Sequence, residues 1–166
     1  MTNMRSMHVR VRSAAVWVVC LLVAGCGAER LDGTWISHES PVPGGSLTTL
    51  ALEGDGTLSL SIEGTSDPLI VGDCTGTASV RGMRWSNSLG GVLHFEGSAR
   101  CEGEVTCVDP THGSTTLTCH DLGLDLETGS CDYLFEDQPS TGLRYVTFTP
   151  CEGGFQVLLH QSFTRP

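Results

Sequence analysis

Leu50-Ala51-Leu52-Glu53-Gly54-Asp55-Gly56-Thr57-Leu58-Ser59-Leu60-Ser61-Ile62 is the stretch that decides the fold. Leu50, Leu52, Leu58, Leu60 and Ile62 recur at every second position, with Ala, Ser, Thr and acids between them. A strand sends successive side chains to opposite faces, so this row places one apolar face inward. Glu53-Gly54-Asp55-Gly56 separates the two runs, and alternation on both sides of an Asp-Gly turn predicts a β-hairpin.

The same period extends outward from the hairpin. Cys74, Ala78 and Val80 share one parity. Arg81-Gly82 reads as a turn, after which Met83 and Trp85 begin another run. Gly90-Gly91 turns the chain before Val92–Phe95, with Leu93 and Phe95 inward and His94 and Glu96 outward. Thr115–Cys119, the alternating Leu122, Leu124 and Leu126, Leu143–Thr149 and Phe155–Arg165 read as further strands, and Cys131–Ser140 as a loop. Outside the N-terminal segment no window has a helical period, and 21 glycines punctuate the chain. About eight short strands predict an all-β domain, a sandwich or a barrel. The chain contains no Lys to guard a sheet edge. Closure into a single antiparallel up-and-down β-barrel is the simplest remedy for exposed edges.

The N-terminus reads differently. Arg5, Arg10 and Arg12 precede an apolar run from Ala14 to Ala24. A basic head, a short apolar middle and a small-residue end make a secretory signal. The run is shorter than the roughly 20 apolar residues a spanning helix needs. Leu22-Val23-Ala24-Gly25-Cys26 resembles the lipobox of bacterial lipoproteins. The resemblance implies a signal peptide over 1–25, an acylated Cys26 as the mature N-terminus and a short tether over 26–31. Gly27, rather than Asp, follows the cysteine; by the same resemblance this implies the outer membrane, facing the periplasm. A single acyl chain holds only marginally, at about 0.8 kcal/mol per buried CH₂, whereas several hold firmly. Ordinary secretion with a free Cys26 thiol is the alternative.

Beyond the leader, six arginines face nineteen acids, a formal charge of −13. Such a surface excludes nucleic acid as a partner and supplies no polybasic membrane patch. Membrane attachment would therefore go through Cys26 alone. Residues 32–166 are the size of one domain.

Cys74, Cys101, Cys107, Cys119, Cys131 and Cys151 remain after the leader cysteines. An even count in an exported chain reads as three disulfides, with fifteen connectivities open to about equal argument. The Glu-Gly-Glu between Cys101 and Cys107 favours that pair. Zinc is the rival use of these residues, but no C-x-x-C spacing supports it.

Leu31-Asp32-Gly33-Thr34-Trp35 near the start and Phe155-Gln156-Val157-Leu158-Leu159-His160-Gln161-Ser162-Phe163-Thr164-Arg165 at the end resemble the lipocalin-type (calycin) pattern. There a Gly-x-Trp opens the barrel and a late Arg packs across the Trp ring, which implies these roles for Gly33, Trp35 and Arg165. An Arg on an indole face contributes about 0.5–2 kcal/mol. Neither the family's second motif nor its helix before the last strand is evident here. The other reading is a core Trp and a solvated terminal Arg.

The chemistry is sparse. His38, His94, His112, His120 and His160 have no metal-ligand spacing with one another, and no G-x-S-x-G elbow surrounds Ser98, which lies in a strand pattern. Asp55 and Asp67 read as turn residues, and Glu102 and Glu104 are the best placed carboxylates for a calcium ion. The expectation is a protein without catalytic residues, cofactor or metal. It binds either a small apolar ligand in a lipocalin-like barrel or, with a filled barrel, another envelope protein. Leu50, Leu52, Leu58, Leu60, Trp85, Leu93 and Phe95 would line a cavity in the first case and fill it in the second.

Overall fold

A computed structural model of the chain describes residues 30–37, 39, 45–65, 73–88, 90–125, 127–153, 158 and 161–166. The leader, Cys26 and the tether up to residue 29 lie outside the described residues. So do His38, Asp67, Leu126, Phe155, Val157, Leu159 and His160.

The hairpin predicted around Asp55 is present. β2 (Ser46–Leu52) and β3 (Thr57–Gly64) pair antiparallel, with Leu50 opposite Leu60 and Leu52 opposite Leu58. In the turn, Glu53 N–H donates to the Thr57 carbonyl at 2.9 Å and Thr57 N–H to Asp55 Oδ1 at 2.8 Å. The leucine row and Ile62 are buried, and the intervening polar residues face outward.

β1 (Gly33–Ser37) pairs with β2 on one side and with β10 (Ser162–Thr164) on the other. β10 pairs with β9 (Leu143–Glu152), β9 with β8 (Gly129–Gln138), and β8 with β5 (Val92–Glu96). β4 (Asp73–Ser88) pairs with both β5 and β3 and closes the ring. The circuit β1-β2-β3-β4-β5-β8-β9-β10 is a closed antiparallel barrel of eight strands, in chain order apart from one excursion.

That excursion is a hairpin of β6 (Arg100–Asp109) and β7 (Gly113–Thr118). It leaves the barrel because β4 is sixteen residues long and serves two neighbours on one edge. Residues 84–88 of β4 pair with β5 in the barrel wall, while residues 73–81 pair with β6. Gly97-Ser98-Ala99 lies at the fork between β5 and β6, not within a strand. β7 pairs only with β6 and ends the sheet as a two-stranded wing.

Four further local expectations are corrected. Arg81-Gly82 does not turn the chain. Leu58 pairs with Met83 and Leu60 with Val80, so Arg81 and Gly82 together oppose Ser59 in a β-bulge. Gly82 takes a φ of +88°, which glycine adopts without strain. The extra residue explains why the inward set passes from Ala78 and Val80 to Met83 without a break in the strand.

Residues 131–138, read as part of a loop, lie in β8. Cys131, Tyr133 and Phe135 form its inward row, masked in the sequence by Asp132, Glu136 and Asp137. A second bulge sets Thr149 and Pro150 opposite Asp132. Pro lacks an N–H and is tolerated at such a break in the ladder.

Leu122 and Leu124 are not on a strand. Leu122 N–H donates to the Thr118 carbonyl and Leu124 N–H to the Cys119 carbonyl, giving a compact turn that buries both leucines in the core. The last correction is covalent. Cys101 and Cys107 are not partners: they lie on one extended strand, roughly 20 Å apart at about 3.3 Å per residue, where a disulfide needs Cα atoms within about 7 Å. The three bridges are Cys74–Cys107, Cys101–Cys119 and Cys131–Cys151. The first and third join residues directly opposite one another in the β4–β6 and β8–β9 ladders.

Candidate functional site

The barrel interior is the first place a carrier would use. Leu50, Leu52, Leu58, Ile62, Ala78, Val80, Leu93, Val146 and Phe163 have 0% exposure, and Leu60, Trp35, Phe95 and Phe148 have 1%. A side chain that a water-sized sphere cannot reach borders no void of that size. These residues come from seven of the eight barrel strands, and Cys131 of β8 joins them in one apolar cluster. Of the seven residues read as lining or filling the barrel, only Trp85 is half-buried. Its Nε1 donates to the Glu53 carbonyl at 2.9 Å, which sets the indole beside the β2–β3 turn.

The barrel end brings Gly33, Trp35 and Arg165 together. Trp35 Nε1 donates to the Leu31 carbonyl at 2.7 Å, fixing the ring. The Arg165 guanidinium carbon lies 4.7 Å from the ring centroid, and one of its nitrogens donates to the Asp32 carbonyl at 3.0 Å. Gly33 has a φ of +131° and lies under the guanidinium, so the left-handed backbone and the cation share one glycine position. Trp35 also meets Phe135 at 5.8 Å, and Phe135 meets Tyr133 edge-on at 5.6 Å. Phe135 and Tyr133 are hidden in the sequence, where the surrounding acids give the stretch the look of a loop. Their shared parity with Cys131 was the available signal.

The surface grooves have a different character. One of about 410 Å³ lies beside Glu39, Glu136, Asp137 and Tyr145, and one of about 530 Å³ beside Ser98, Asp125 and Glu127. Both are open; the first is walled largely by polar groups and the second by polar and apolar groups in about equal measure. Another, of about 480 Å³, lies at the fork between Arg81 and Arg100, which face each other across the β4–β6 ladder.

Among the described residues the histidines and carboxylates do not converge in a cleft. His94 points outward from β5. His120 Nδ1 is 2.6 Å from Asp125 Oδ2, and His112 Nδ1 is 3.3 Å from Asp109 Oδ2; both pairs lie on exposed turns. Glu102 and Glu104 stand on the outer face of β6. Among the described residues no three His, Cys, Asp or Glu side chains are grouped to hold a metal ion.

The wing is built from turn chemistry at both ends of β7. At its start, Asp109 Oδ1 accepts from the Thr111 hydroxyl at 2.6 Å, the Thr111 N–H at 2.7 Å and the His112 N–H at 3.1 Å. At its end, Asp121 Oδ2 accepts from the Thr118 hydroxyl at 2.6 Å and the Thr118 N–H at 2.9 Å. Hydrogen bonds from the threonine hydroxyl first, and then from the backbone, hold both carboxyls below the usual carboxylate range. The same bonds from Thr57 lower Asp55 in the β2–β3 turn. Asp109-Pro110-Thr111-His112-Gly113 was a legible turn signal for the wing.

No protein-family model, curated protein or solved structure matches this chain.

Proposed function

We propose that this protein is a non-catalytic, lipid-anchored component of the bacterial envelope, held at the periplasmic face of the outer membrane through acylated Cys26. Its barrel acts as a rigid body that presents loops and the wing to another envelope protein. The filled interior carries this reading. A carrier of small apolar molecules needs a cavity of about 300 Å³ or more, and the space inside this barrel holds leucine, isoleucine, valine and aromatic side chains. The exposed histidine–carboxylate pairs support a non-catalytic role, because general acid–base chemistry relies on groups gathered where water is excluded.

Two measurements test the reading. Cys26→Ser should move the protein from the membrane to the soluble fraction; membrane retention of the variant would refute the anchor. Titration of the purified protein with a fluorescent fatty-acid probe should give no saturable binding. Stoichiometric uptake of the probe would restore the carrier reading in its place.

A further inference from the structure

β7 is the one strand among the described residues that ends the sheet. Residues Gly113–Thr116 and Thr118 are exposed, and the strand contains no charge and no proline. A bare edge of this kind is a template for another strand, and natural sheets normally blunt it with charge, proline or a bulge. The backbone geometry states which groups are open. In an antiparallel ladder, successive residues direct their N–H and C=O to opposite sides. Thr118 directs its N–H to Asp121 and its carbonyl to Leu122 N–H, away from β6. Thr116 and Ser114 therefore also direct theirs away from β6, into solvent. Thr118 is closed by its own turn, which leaves a docking edge of two residues and four backbone groups.

Resting on the proposed interaction role, we infer that the β7 edge binds an extended cationic segment of another polypeptide by strand addition at Ser114 and Thr116. The backbone supplies the hydrogen bonds of that mode, and flanking side chains select the partner. Two bridges, Cys74–Cys107 and Cys101–Cys119, hold the wing in its bound shape, which lowers the ordering cost of docking. Charge selects the occupant. Residues 100–128 carry six acids against one arginine, a formal −5, and Asp109 and Asp121 bracket the edge. A second copy of this chain would bring the same −5 against it, whereas a Lys- or Arg-bearing strand is attracted.

The test uses the lipid-anchored protein in uncharged detergent micelles. The probe is an eight-residue peptide alternating lysine with threonine and valine, with glutamate replacing lysine in its control. The lysine peptide should slow amide exchange at Ser114 and Thr116 at least tenfold, less so at high salt, and the glutamate peptide should not. Thr116→Pro removes an N–H that β6 does not use, so the wing should persist while protection is lost; Thr116→Ala should retain it. Where the proline variant does not fold, a lysine peptide N-methylated at the positions facing β7 serves instead and should not bind. Equal binding of both peptides, protection mapping elsewhere, or undiminished binding of the N-methylated peptide would overturn the proposal. A concentration-dependent dimer abolished by Thr116→Pro would overturn the cationic occupant in favour of a second copy. Failure on any of these counts leaves the packed-barrel reading standing, whereas fatty-acid uptake removes that reading whatever β7 does.

Discussion

The hairpins β2–β3 and β6–β7 belong to one sheet, yet different forces hold them. In β2–β3, one face of each strand is fully buried in alternation, and five aliphatic side chains enter the common core. Each such burial stabilises by about 1.5–3 kcal/mol. In β6–β7, Val105 is the one fully buried apolar side chain on the two strands, Leu117 is half-buried and the rest is largely exposed. A two-stranded hairpin without a covered face is marginal in water. The wing is fixed instead by two disulfides, by a Thr106–Thr116 hydroxyl contact at 3.1 Å and by the Asp109 and Asp121 turns. Burial stabilises a segment that has an inside; covalent and polar local bonds serve one that has none.

The largest expected effect is in the barrel. Leu60→Ala should lower global stability by about 2–5 kcal/mol in urea unfolding, because it opens a hole among fully buried neighbours. Leu117→Ala should cost much less. An equal loss from the two would mean that the wing has a core of its own and would break the contrast.

Removing Cys101–Cys119 by a double Cys→Ala change should cost about 3 kcal/mol, the loop-closure value for a bridge of this span. Amide exchange should quicken across β6 and β7 while β2 and β3 stay protected. Uniform acceleration over both hairpins would show that the wing and the barrel open as one unit.

Acid should act more gently and mainly on turns. Asp109 and Asp121 have folded-state pKa values below the ordinary 3.8, so their ionised forms favour the fold. That contribution is complete above about pH 5 and is lost as pH falls below about 4, when the unfolded chain takes up protons first. NMR shifts of the Thr111 and Thr118 amides should report it, together with Thr57 beside Asp55. The buried rows of β2 and β3 should not respond over the same range.

The smallest effect concerns the fork. Arg81 and Arg100 are directly opposite, and like charges so placed are unfavourable. Arg100→Glu should raise the unfolding midpoint by the equivalent of about 0.2–1 kcal/mol. A loss instead would mean that Arg100 makes a favourable contact worth more than the repulsion.

The contrast also explains what could be read in advance. Where one face is buried, register is enforced residue by residue, and the alternation of Leu50 to Ile62 and of Leu93 with Phe95 is visible in the sequence. It faded wherever an extra residue was inserted. The Arg81-Gly82 bulge mimicked a turn because a turn and a bulge both use glycine at positive φ and both shift the parity of the apolar row. The bulge at Thr149-Pro150 and the acids around Tyr133 and Phe135 hid β8 in the same way. The wing was half legible: the Thr-rich stretch Thr115–Cys119 reads as a strand and lies largely in β7, whereas Glu102-Gly103-Glu104 resembled a turn between Cys101 and Cys107 and hid β6. Leu122 and Leu124 had the spacing of a strand and became the plug of a turn once Asp121 bonded back to Thr118.

Composition and periodicity by themselves determined that sheet, rather than helix, encloses the interior, that neighbouring strands pair as antiparallel hairpins, and that six cysteines cross-link them. These are properties of short stretches and of counts. Tertiary structure alone decided that β4 serves two neighbours, that Cys74 meets Cys107 and Cys101 meets Cys119, and that β7 is left with an open edge. Those outcomes depend on which distant strands share a ladder. Pairing between strands is a contest among all possible partners, resolved by the packing of the whole core.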